Sequence, residues 1–290
     1  MNSIPYSTDN TILFTLARMN PPTPGHLHLI RQLIEQAMEI NVRTVHVILS
    51  KTNDNRDDPI PCSLKISTLI GATHNMIQSL KSDMEKSTSP ENAEKIRAIN
   101  VIPICVPDTP RSTPFTVVGR LIGDMRERLE SEGIKPNINL FIIIGDDRAE
   151  LIDSISNFYY EKDVNIFSIN AKVLARENME EYKSMNLAQL KNTNMGDIPV
   201  GAFSATFVRK LVDYELYDKF AEVYQPYLDT DSINELYEAI RLGMKKTVIK
   251  KKSTGIKTTT QKQSYPKIKR TKSPKVQDST TKRKRTSPTP

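Results

Sequence analysis

In Thr23-Pro24-Gly25-His26 an imidazole directly follows a glycine. The glycine would let ligand and main chain approach closely, and the imidazole supplies a donor that can carry charge. A second run, Phe203-Ser204-Ala205-Thr206-Phe207-Val208-Arg209, holds two hydroxyls and, three residues after the second, a guanidinium. On a helix Thr206 and Arg209 share a face. A His, an Arg and hydroxyls beside helix-start amides suit one chemistry: holding phosphates and neutralising charge as it builds on their oxygens. No Ser-His-Asp arrangement is visible, and none is required for such work.

The elements around these runs must place them together. Ile12 to Ala17 is an apolar run with β propensity, stopped by a turn rich in Pro and Asn. From Gly25 the period becomes helical, with Leu29, Ile30, Leu33, Ile34, Ala37 and Met38 on one side. A strand thus opens through a loop into a helix, whose first amides lack intrahelical partners and carry partial positive charge. Further strands are predicted at Thr44–Leu49, Ile99–Val106, Leu140–Ile144 and Val164–Ile169. Helices are predicted after Pro61 (Ile66, Leu69, Ile70 and Ile77 on one face), after Ser89-Pro90-Glu91, over Phe115–Leu129 and after Arg148. Alternating strands and helices imply an α/β fold: a doubly wound, mostly parallel five-stranded sheet, Rossmann-like, with a C-terminal helical extension. Ligands on such sheets bind beyond the C-terminal strand ends where the winding reverses, so Pro21–His26 and Gly145–Arg148 should meet there.

Asn170 to Val200 reads as a long polar connection, expected to be a mobile flap leading into the second run. Ser204 is a good N-cap for a helix through Val212. Another helix covers Leu216–Tyr224; Asp231 or Ser232 should cap a last one, which Gly243 ends.

Together the two runs resemble the nucleotidyltransferase superfamily, whose signatures are (H/T)xGH and, well over a hundred residues later, (I/F)SxTxxR. Arg18-Met19-Asn20-Pro21-Pro22 looks like that family's lead-in. The resemblance covers about residues 10 to 228 and extends to cytidylyltransferases and nicotinamide-nucleotide adenylyltransferases. It implies transfer of AMP or CMP from ATP or CTP to a phosphorylated acceptor, with release of pyrophosphate. Mg²⁺ would be carried by the triphosphate, and no protein metal site is implied. The acceptor could be nicotinamide mononucleotide, a phosphopantetheine, a flavin mononucleotide or a phosphorylated alcohol or sugar.

By the same resemblance His26 donates to the α-phosphate, Thr23 hydrogen-bonds the phosphates, and Arg209 neutralises the leaving pyrophosphate. Arg18, Asn20, Gly25, Ser204 and Thr206 bind nucleotide, with the acceptor's phosphate as the alternative partner of Arg18. Gly145-Asp146-Asp147-Arg148 resembles the family's GxD, so that Asp146, Asp147 or Arg148 contacts acceptor or ribose; a helix cap accounts for the carboxylates equally well. Lys65 matches a basic residue that follows N-P-L in viral and phage members, which this chain resembles most in look. Asp57-Asp58-Pro59-Ile60 departs from N-P-L, and a solvated lysine is the alternative. Class I aminoacyl-tRNA synthetases share the first signature, but the second run lacks the lysines of their KMSKS-like loop.

The charge is divided. Of 41 Lys+Arg and 34 Asp+Glu, 16 basic and one acidic residue lie in 245–290, leaving 25 basic against 33 acidic before it. An acidic body, −8, precedes a basic segment, +15. The expected organisation is a flexible 1–10, a transferase domain over 11–228, a helix over 229–244 and a disordered tail over 245–290. Lys282-Arg283-Lys284-Arg285 is similar to a nuclear-import signal, and the tail could bind nucleic acid. A non-catalytic nucleotide- or nucleic-acid-binding protein is therefore the competing reading. The two cysteines, Cys62 and Cys105, lack metal-site spacing and are expected as reduced thiols of an intracellular protein. No apolar stretch is long enough for a membrane span, and 1–10 lacks a signal-peptide core. His28, His46 and His74 are expected to be structural or solvated; His28 points away from His26 on a helix, so the two do not make a metal pair.

Overall fold

Alternating side chains of β1 (Thr11–Ala17) enter two different cores: Ile12, Phe14 and Leu16 pack on one face of the sheet and Leu13 on the other. A strand buried on both faces sits at the middle of a parallel sheet. In the computed structural model, which describes residues 10–53, 56–86, 95–96, 98–159, 166–175 and 179–253, that is its place. The strand order is β3-β2-β1-β4-β5, all pairs parallel, with β2 Thr44–Leu49, β3 Asn100–Cys105, β4 Ile138–Gly145 and β5 Ile166–Leu174. The winding reverses between β1 and β4.

Helices α1 (Pro24–Glu39) and α2 (Cys62–Lys86) cover one face; α3 (Pro114–Ser131) and α4 (Glu150–Tyr159) cover the other. The first face also receives the C-terminal helices α7 (Ala205–Asp213), α8 (Tyr217–Tyr224) and α9 (Thr230–Ser253). The doubly wound expectation is met: both ends of β2 and the end of β1 fall as expected, and the other strand ends are displaced by one to five residues.

Four local expectations are corrected. The connection over 170–200 is built rather than loose: β5 runs on to Leu174, and α5 (Met179–Ser184) and α6 (Leu187–Asn192) follow. Leu190, Met195 and Ile198 from this stretch are core residues. At the last helix, Asp229 is the cap, its Oδ1 accepting the Ser232 N–H at 2.8 Å. Gly243 does not end α9, which continues to Ser253, so the tail as drawn from residue 245 begins helically. That glycine serves close approach: a methyl there would lie 2.0 Å from the Pro59 carbonyl oxygen.

Finally, Cys62 and Cys105 are joined as a disulfide, with Cα atoms 6.2 Å apart. Their 43-residue separation hid a proximity that topology creates, because α2 starts and β3 ends at the same edge of the sheet. The Ser89-Pro90-Glu91 helix start, Val164, residues 1–9 and residues 254–290 lie outside the described residues. No helix among the described residues is long and apolar enough to cross a membrane.

Candidate active site

At the C-terminal ends of β1 and β4, beside the reversal, lies a cleft of about 190 Å³. Its walls come from both signatures: Arg18, Asn20 and His26 on one side, Ser204, Thr206 and Arg209 on the other, with Gly145, Asp147 and Arg148 from the turn after β4. The first turns of α1 and α7 both border it, so two positive helix ends converge on one space. The candidates Thr23, Gly25, Lys65 and Asp146 are not among its lining residues.

His26, 8% exposed, is held by its own helix start. Its Nδ1 accepts the Thr23 backbone N–H at 3.1 Å and lies 2.8 Å from the Thr23 hydroxyl. Both contacts with Thr23 are made through Nδ1 rather than Nε2.

Thr23 and Gly25 also tie the two signatures together. The Thr23 hydroxyl is buried and donates to the Phe203 carbonyl at 2.7 Å. A Cβ on Gly25 would lie 3.0 Å from the same carbonyl and 3.4 Å from those of Val200 and Gly201. The glycine thus admits the main chain that leads into α7. Tyr224 adds a third tie, its buried hydroxyl donating to the Pro22 carbonyl. These contacts lock the first signature to the second.

In the second signature Ser204 caps α7, its Oγ accepting the Phe207 N–H at 3.1 Å. Thr206 is exposed, and its Oγ1 accepts from Arg209 Nη2 at 3.2 Å. Arg209 reaches across the cleft, Nη1 donating to the Asn20 carbonyl at 2.7 Å and Nη2 lying 3.4 Å from Asp57 Oδ1. Burial lowers its pKa from the usual value, while Asp57 and Asp58 counteract the shift.

The Asn20 side chain is turned to the loop after β2: its amide donates to the Thr52 and Ile60 carbonyls and accepts the Ile60 N–H. Arg18 is more than half exposed, 4.0 Å from Asp58. Lys65 is not solvated. It is fully buried, with Nζ 3.0 Å from the Ser50 carbonyl and 3.2 Å from that of Thr52. Burial lowers its pKa to about 8, Asp58 raising it and Arg18 lowering it further. Asp146 accepts the Asp147 N–H at 2.8 Å, and both carboxylates are exposed.

Two cleft residues escaped the sequence: Asp57, in an aperiodic polar loop, and Lys183, in the stretch read as a flap. Neither stands in a pattern that marks it. The other histidines behave as expected: His28 and His74 are exposed, and burial in β2 lowers His46 to about 4. Among the described residues no three His, Cys, Asp or Glu gather as a metal site.

No family model matches the chain, and no curated protein matches it in sequence. Among solved structures, a bifunctional NMN adenylyltransferase/ADP ribose pyrophosphatase from Francisella tularensis aligns with 88% of this chain and 57% of its own, at a TM-score of 0.33 and 14% identity. The chain therefore spans less than two thirds of that protein's length.

Proposed function

We propose that the chain is a nucleotidyltransferase that moves AMP or CMP from ATP or CTP to a phosphorylated small-molecule acceptor, releasing pyrophosphate. One observation carries the reading. Two signature runs 180 residues apart in sequence converge, with two helix N-termini, on one cleft at the winding reversal of the sheet.

An acceptor phosphate oxygen attacks the α-phosphorus in line as the α–β bridging bond breaks and pyrophosphate leaves. Nothing needs to become covalently attached to the protein; positioning and charge neutralisation suffice. His26 Nε2–H donates to the oxygens of the α-phosphate as charge grows there. Arg209, with Thr206 and the first-turn amides of α7, receives the β- and γ-phosphates. Arg18, Asp147 and Arg148 border the side left for acceptor and ribose. Mg²⁺ enters with the triphosphate as part of the substrate. The test is pyrophosphate release by the full chain over a panel of triphosphates and phosphorylated acceptors; release with no pair would overturn the reading.

Arg209→Ala should weaken binding of ATP more than AMP, or of CTP more than CMP, because its guanidinium meets the outer phosphates and not the base. Calorimetric titration of each pair checks it; equal losses would move Arg209 away from the outer phosphates.

The charge division favours a further partner. Eleven of the 41 Lys+Arg lie beyond Ser253, leaving 30 against 33 acidic residues in 1–253. The full chain is expected to bind duplex DNA or RNA without sequence preference, and 1–253 much more weakly. On DNA each neutralised phosphate should contribute about −0.9 to the log–log salt slope. Binding indifferent to salt in a fluorescence titration would rule this out.

A further inference from the structure

The loop from Ser50 to Pro61 sets two carboxylates against the two arginines of the cleft: Asp57 on Arg209 and, at 4.0 Å, Asp58 on Arg18. Its described backbone, on either side of residues 54 and 55, is held at several points. Asn20 grips Thr52 and Ile60, Lys65 binds the Ser50 and Thr52 carbonyls, and Pro59 lies against Gly243 of α9 with no room for a methyl group. The carboxylates differ in exposure. Asp58's side chain is 5% exposed, whereas Asp57's is 75% exposed.

Arg209 has the opposite character. Its side chain is 11% exposed, and a guanidinium withdrawn from water is costly without a nearby anion. An empty phosphate site therefore needs a counter-charge that a ligand can displace, and the two groups lining one cleft meet that need.

Resting on the nucleotidyltransferase reading, we propose that Asp57 is the resident counter-anion of the phosphate site: it pairs with Arg209 while the site is empty, yields it to the triphosphate and reclaims it as pyrophosphate departs. Asp57 then sets a threshold. A ligand must bring enough charge to win Arg209, which favours a triphosphate over a monophosphate. The same competition keeps pyrophosphate from lingering. Asp57 is thus a specificity-determining residue, not a group that takes part in bond-making.

The test is calorimetric titration of inorganic pyrophosphate and of ATP and CTP into the full chain, its Asp57→Asn and Asp57→Ser variants, Arg209→Ala, and the Asp57→Asn/Arg209→Ala double variant. Removing the carboxylate should tighten pyrophosphate binding about fivefold, the upper end for a partly exposed ion pair. Both Asp57 variants should behave alike, and the gain should vanish without Arg209. Unchanged or weaker binding in the Asp57 variants overturns the proposal, as does an equal gain in the Arg209→Ala background, which would mark a general field effect. A wild-type chain that binds the triphosphates but shows these outcomes loses only the proposal. One that binds neither pyrophosphate nor triphosphate loses the transferase reading as well.

Discussion

His26→Ala should lower turnover about a hundredfold or more, the loss of roughly 3 kcal/mol that follows removal of one donor to a developing oxyanion. The effect should fall on kcat more than on KM, because the bond to the α-phosphate strengthens as the transition state forms. The substitution also leaves the buried Thr23 N–H without its Nδ1 acceptor. That costs about 1–3 kcal/mol of stability, so the melting temperature should drop while the variant still folds. His26→Asn separates the two effects, since an amide oxygen can take the Thr23 N–H without restoring an imidazole donor. It should recover stability more than activity. A folded His26→Ala protein turning over at the wild-type rate would remove His26 from the reaction.

Breaking the Cys62–Cys105 disulfide should cost about 4 kcal/mol, the chain-entropy value for a cross-link spanning 43 residues. The bond joins the first residue of α2 to the last residue of β3, so its loss releases the start of α2 from the sheet edge. The measurement is the denaturant midpoint with and without a thiol reductant, beside a Cys62→Ser/Cys105→Ser variant. The variant should unfold like the reduced wild type and ignore the reductant. Equal midpoints for oxidised and reduced wild type would show that the bond contributes nothing.

The fold was readable where burial imposes a pattern. β4, interior to the sheet and covered on both faces, is an unbroken apolar run from Leu140 to Ile144 and reads as a strand. β5 is an edge strand, and beyond Ile169 its Asn170 and Lys172 imitate a loop, so its second half reads as a loop in the sequence. Helices α5 and α6 have six residues each, too short for a helical period to declare itself.

At the site, His26, Ser204, Thr206 and Arg209 were legible because their spacing near helix starts survives in one dimension. Their supports were not. The Thr23 proton goes to Phe203, Gly25 makes room for the same carbonyl, and Asp57 meets a guanidinium 152 residues away. For Lys65 the sequence leaves a basic site residue and a solvated lysine equally open; in the structure its stem is buried and the backbone of a neighbouring loop takes the ammonium. Such roles are fixed only by the three-dimensional closing of the chain.

The ties between the two signatures bear on the order in which the protein can be made. β1 leaves the ribosome first among the strands, yet it is the middle of the sheet and must wait for β4 to supply one of its two neighbours. The turn after it waits longer. Thr23 finds Phe203, and Pro22 finds Tyr224, only when the chain has grown past those positions. Until then the earliest-synthesised part of the site has no scaffold, and a nascent chain stopped before α8 should carry a sheet but no working cleft. Such long loops close late and slow folding. Chains arrested at increasing lengths should therefore acquire protease resistance over β1 well before resistance over Pro21–His26, which should appear only once Tyr224 is clear of the tunnel.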